Sequence, residues 1–180
     1  MSKYIKNYNI LIAEKIVNQK VDEQLLLIKN KLGDKIYNEL KSNIVININD
    51  TGDCHAFDYT ITIGTKFIDK NNKPYKENNE FPLDGKWNLY FKTRLDESIL
   101  HEICHLIDYN IFATIGKFGE KRSLTSDNWN FDINKSSTTY GKTNKEEDFV
   151  ATMMFYLTDR KKSLKEDRDK FIDKILDQWI

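Results

Sequence analysis

Asp96-Glu97-Ser98-Ile99-Leu100-His101-Glu102-Ile103-Cys104-His105-Leu106-Ile107-Asp108-Tyr109 is the stretch from which the rest of the chain is read. Ile99, Leu100, Ile103, Leu106 and Ile107 recur at helical spacing, which predicts a buried amphipathic helix. Asp96 reads as its cap, with Ser98 as the alternative. Residues 101–105 spell His-Glu-Ile-Cys-His, an H-E-x-x-H arrangement. Side chains four apart on a helix share a face one turn apart, so His101 and His105 can aim their imidazoles at one metal ion. Glu102, one residue beyond the first ligand, can reach a water on the open side of that ion. Asp108 falls on nearly the same face. It either accepts a ring N–H from a ligand histidine and fixes its tautomer, or ends the helix facing solvent. Cys104 points away from the histidine pair by helical phase and reads as a small core residue.

A catalytic zinc site takes three protein ligands and keeps one position open, so a third ligand has to come from elsewhere. The remaining histidine, His55, lies far upstream in a turn-like Asp-Thr-Gly-Asp-Cys-His segment. Carboxylates are the better source. Residues 143–157 open with an N-cap-like Thr143-Asn144 and continue as an apolar-periodic helix. Glu146, Glu147 and Asp148 all fall in its first turn, where the helix dipole favours negative charge whether or not a metal is present. The residues alone leave these three candidates open.

Thr138-Thr139-Tyr140-Gly141-Lys142-Thr143-Asn144-Lys145-Glu146-Glu147-Asp148-Phe149 resembles the S/T-x-Y-(A/G)-x-T-N-x-x-E-D-F stretch of zincins related to anthrax lethal factor, a group that includes secreted clostridial Pro-Pro endopeptidases. The resemblance covers about residues 95–157. It implies that H-E-x-x-H gives two ligands, that a glutamate on the following helix gives the third, and that a tyrosine seven residues earlier assists catalysis. In that register the metal ligands are His101, His105 and Glu147, and the catalytic residues are Glu102 and Tyr140. The chain departs from the pattern just beyond, with Val150-Ala151 where Ala-Glu is usual.

The implied function is that of a gluzincin-type zinc metalloendopeptidase. Zn2+ activates a water, Glu102 is the general base, and Tyr140 donates to the developing oxyanion. Two alternatives stand beside it. One is a non-catalytic, metal-stabilised peptide-binding module. The other is an aspzincin-type peptidase with an aspartate as third ligand, for which Asp127 and Asp132 are the candidates. The expected partner is a protein or peptide substrate in an extended conformation.

With 180 residues the chain reads as one zincin-like domain, 1–180. Lys+Arg and Asp+Glu both number 28, so the net charge is zero, and this argues against nucleic acid or an anionic membrane as the main partner. Nothing reaches the length of a membrane span. The N-terminus lacks a signal-peptide pattern, which leaves a secreted mature form and a cytoplasmic location both open. Two cysteines make no disulfide framework. The Lys/Asn/Ile-rich composition has a bacterial, low-GC character. Oligomeric state and cleaved sequence have no readable signal.

The expected fold class is α+β, with a small mixed or antiparallel sheet before the active-site helix and a helical C-terminal part. Helices are predicted at about 3–18, with Ile5, Tyr8, Ile12 and Ile16 on one side, and at about 21–42, interrupted by Gly33. Strands are predicted at 43–49, 57–63 and 87–92, with Trp87–Lys92 as the edge beside the cleft. A polar loop is expected at about 69–86. A long irregular stretch at about 111–139 carries Trp129 and Phe131, which either line the cleft or pin the loop to the core. A closing helix is predicted at about 163–179, with Leu164, Phe171, Ile175 and Leu176 at helical spacing.

Overall fold

Ala13, Val17, Val21, Leu25, Ile28 and Leu32 follow one another at intervals of three or four residues, and all are buried. Such a stripe is continuous only on a single helix. In the computed structural model it lies on helix α1 (Lys3–Leu32). The structure describes residues 3–74, 91–112, 132, 134, 136, 138, 140–158 and 168–179, with side chains described from residue 9 to residue 177 within these.

The helix break expected near residue 20 is therefore absent. The inward face uses Ala13 and Val17, while Ile12 is 41% exposed. The inward position thus falls on the small Ala13 and not on its larger neighbour Ile12. The interruption expected at Gly33 is present: its φ of 90° lies in the left-handed region that glycine adopts without steric cost. Helix α2 (Asp34–Asn43) follows and buries Ile36 and Leu40.

Strand β1 (Val45–Asn49) matches the first predicted strand. The second predicted strand is two: β2 (Cys54–Phe57) and β3 (Thr60–Gly64) form a hairpin around Asp58-Tyr59. Asp58 takes a φ of 53°, a left-handed conformation that aspartate tolerates better than most residues. Cys54 and His55 thus belong to a strand, where a turn was expected. The sheet has the order β1-β3-β2, with β1 parallel and β2 antiparallel to β3. Helix α3 (Thr65–Asn71) takes up the start of the expected 69–86 loop. Of the predicted strand at 87–92, residues 87–90 lie outside the described residues, and Phe91 and Lys92 are not in a strand.

Helix α4 (Arg94–Leu106) runs on into a π-helical segment (Ile107–Phe112). A 3-10 turn (Tyr140–Lys142) leads into α5 (Lys145–Leu157), and α6 (Arg168–Trp179) closes the described chain. Trp129, Phe131 and Leu164 lie outside the described residues. The protein is mixed α+β, mostly helical, with a small three-stranded sheet. Among the described residues no helix is long and apolar enough to cross a membrane.

The chain divides into two compact units, Met1–Tyr75 with Phe91–Ile103, and Lys76–Tyr90 with Cys104–Ile180. In the first, α1 packs on α2, β1 and α3, and the core gathers Leu25, Ile28, Ile36, Leu40, Ile61 and Ile63. In the second, Phe149 of α5 meets Phe112 and Phe171 edge-on, with ring centroids 6.1 and 6.3 Å away. Buried aromatic pairs of this geometry add to the apolar area that they remove from water.

Candidate metal centre

The start of α4 is fixed by a reciprocal cap. Oδ2 of Asp96 accepts the Thr93 N–H at 2.7 Å and its hydroxyl at 2.9 Å, and the Asp96 N–H donates back to Thr93 Oγ1 at 3.2 Å. Thr93 is thus the N-cap and Asp96 its partner at the third helical position, a capping box; the expected cap at Asp96 or Ser98 moves to Thr93. Lys20 of α1 donates to the other oxygen of Asp96 at 2.5 Å. One turn further along, α4 carries His101, half-buried, and after another turn His105, buried.

Helix α5 starts on Asn144, whose side-chain oxygen accepts the Glu147 N–H at 2.9 Å. The turn before it is compact because residue 141 is glycine. A Cβ there would sit 2.5 Å from Ser136 Oγ and 3.2 Å from the Asp148 Cα. The Gly141 N–H donates to Thr138 Oγ1 at 2.8 Å. The first-turn carboxylates of α5 then take separate partners. Tyr109 stacks on His105, with ring centroids 5.9 Å apart, and its hydroxyl donates to Glu146 at 2.9 Å. Burial, followed by that bond and the surrounding carboxylate charges, pushes the Tyr109 phenol above its usual range. Glu147 lies with Oε1 3.5 Å from His105 Nε2. Asp148 is buried against Arg168 of α6, 2.5 Å away.

His101, His105 and Glu147 each offer one ligand atom, and the three atoms lie within 4.8 Å of one another. Two imidazole nitrogens and one carboxylate oxygen are a donor set suited to zinc. Zinc bonds of roughly 2.0–2.2 Å place tetrahedral ligand atoms roughly 3.3–3.5 Å apart. His105 Nε2 and Glu147 Oε1 are 3.5 Å apart, near that length, and the three ligand atoms together lie within 4.8 Å. The residues present fit the metal.

The other sequence candidates are placed as follows. Glu102 is buried in α4, at 8% exposure, and Cys54 lies on β2. Burial pushes the Cys54 thiol well up. Tyr140 is 53% exposed on the turn leading into α5. Asp108 is fully buried, so it is not a solvent-facing helix end, and no hydrogen bond joins it to His105 Nδ1. His55 is exposed on β2. Cys104 is fully buried. Asp132 accepts the Asn134 N–H at 2.9 Å and stands outside the ligand group, and Asp127 lies outside the described residues. Burial in the first turns of α4 pushes Glu97 up to about 7. No family model, curated protein or solved structure matches this chain.

Proposed function

We propose that this chain is a zinc-dependent endopeptidase with a zincin-like fold, hydrolysing peptide bonds of a protein substrate held in an extended conformation. One observation carries the reading: His101 and His105 of α4 and Glu147 of α5 bring one ligand atom each within 4.8 Å of one another. The H-E-x-x-H spacing and the resemblance of residues 138–149 to lethal factor-related zincins support the same assignment.

His101, His105 and Glu147 hold the ion. Zinc, when bound, supplies Lewis acidity and makes water acidic enough to ionise near neutral pH. Glu102 takes the proton of the attacking water on a carboxylate oxygen and delivers it to the leaving amine. The Tyr140 hydroxyl donates to the substrate oxygen as negative charge gathers there.

The test is elemental analysis joined to digestion of a proteome-derived peptide library. One equivalent of zinc and defined cleavage sites are expected from the native chain. Glu102→Gln is expected to retain the zinc and lose turnover by roughly 10²–10⁴. Absence of stoichiometric zinc overturns the scheme. Full zinc loading without cleavage replaces it with a metal-stabilised peptide-binding module.

A further inference from the structure

Tyr109 stands four residues beyond His105, just after α4 has passed into the π-helical segment Ile107–Phe112. Side chains four apart on a helix are neighbours on one face. Here the two rings lie nearly parallel, with planes 13° apart and centroids 5.9 Å apart. The far end of the tyrosine is tied down: its hydroxyl donates to Glu146 Oε2 at 2.9 Å, in the first turn of α5. Glu147, next along that turn, has Oε1 3.5 Å from His105 Nε2. One half-buried tyrosine thus joins the helix end carrying His105 to the turn carrying Glu147. All four residues belong to the second compact unit. Short π-helical stretches collect at functional sites, and this one begins two residues after His105.

A histidine ligates well only while its ring is held with a nitrogen toward the ion, and the groups that hold it tune affinity. A flat face against the imidazole restrains its rotation, and a tethered face restrains it better than a loose one. We propose that Tyr109 is a positioning residue for the metal site: its ring holds the plane of the His105 imidazole, and its bond to Glu146 holds the ring. The inference rests on the zinc peptidase reading above and adds to it the side chain that orients one of the ligands.

Tyr109→Leu and Tyr109→Phe separate the flat face from its tether. Tyr109→Leu removes the face and is expected to weaken zinc binding about 10–100-fold, the cost of losing a group that orients a ligand. Tyr109→Phe keeps the face without the tether and is expected to lose less than about tenfold. Competition with a chromogenic chelator reads both affinities. Near-native affinity in Tyr109→Leu, or Tyr109→Phe as weak as Tyr109→Leu, overturns the inference. Tyr109→Met, equally without a flat face and adaptable in packing, takes the place of a leucine variant that fails to fold. A merely structural role is told apart in the cobalt(II)-loaded proteins, whose visible bands follow the arrangement of the ligands and not the stability of the chain. At saturating cobalt the bands are expected to shift in Tyr109→Leu and to keep their native positions in Tyr109→Phe. Native bands in Tyr109→Leu overturn the inference. Zinc bound with the expected order of affinities by a chain that cuts no peptide supports the inference and overturns the peptidase reading alone. A native chain that takes up no stoichiometric zinc overturns both.

Discussion

The Tyr109 hydroxyl donates a 2.9 Å hydrogen bond to Glu146, while Glu147, the next residue, stands 3.5 Å from His105. Adjacent carboxylates in one helical turn thus have different partners, and substitution tests whether their roles differ. Glu147→Ala removes the proposed third ligand and is expected to weaken zinc binding by more than about 10²-fold, beyond what loss of an outer partner costs. Glu146→Gln keeps an acceptor for Tyr109 and is expected to change zinc affinity by less than about tenfold. Competition titration with a chromogenic chelator measures both; equal losses would remove the distinction between the two glutamates.

Arg168 and Asp148 form a pair with side chains 6% and 0% exposed. Arg168→Ala strands a buried carboxylate and is expected to destabilise the protein by about 3–5 kcal/mol. The double replacement Arg168→Met with Asp148→Leu leaves no charge behind and is expected to recover most of that loss. Urea midpoints of the three proteins decide the matter, and a double variant as unstable as the single one contradicts it.

What the sequence discloses about the centre follows the distance over which each signal acts. His101 and His105 are legible because a helix fixes their relation within one turn. The Thr93-x-x-Asp96 capping box was equally local, and a search for S/T-x-x-D/E before an apolar run would have found it. Residue type alone could not tell Glu147 from Glu146, since both suit a helix N-terminus, and only the register of the family resemblance chose Glu147; in the fold, Tyr109 donates to Glu146 and His105 faces Glu147. The hairpin was hidden because Asp58 makes the turn with no glycine to announce it.

Gly141 admits no side chain without displacing a neighbour. A methyl group there meets Ser136 Oγ at 2.5 Å, Thr138 Oγ1 at 2.9 Å and the backbone of Asp148 at 3.2 Å. Gly141→Ala is expected to cost about 1–3 kcal/mol, the range for overfilling a packed site. Because the strain falls on the turn carrying Tyr140 and on the first turn of α5, zinc affinity is expected to fall as well. Thermal unfolding with and without zinc reads both effects; an unchanged melting temperature would show that the turn yields freely.

Glu97 gives the protein a pH dependence with a definite sign. Burial raises its carboxyl from the ordinary 4.5 to about 7, so the folded chain holds this proton more tightly than the unfolded chain does. Its favourable contribution is complete below the unfolded value and is lost as pH rises through the folded one. At about 1.4 kcal/mol per unit, the native protein is expected to lose up to about 3 kcal/mol relative to Glu97→Gln on passing from acid to neutral pH. The two proteins should unfold at similar urea concentrations near pH 4.5, and the variant should be the more stable near pH 7.5, beyond the raised value. Other titrating groups are shared by the two chains and cancel in the difference. Parallel urea curves across that interval would mean that the Glu97 carboxylate is solvated in the folded protein.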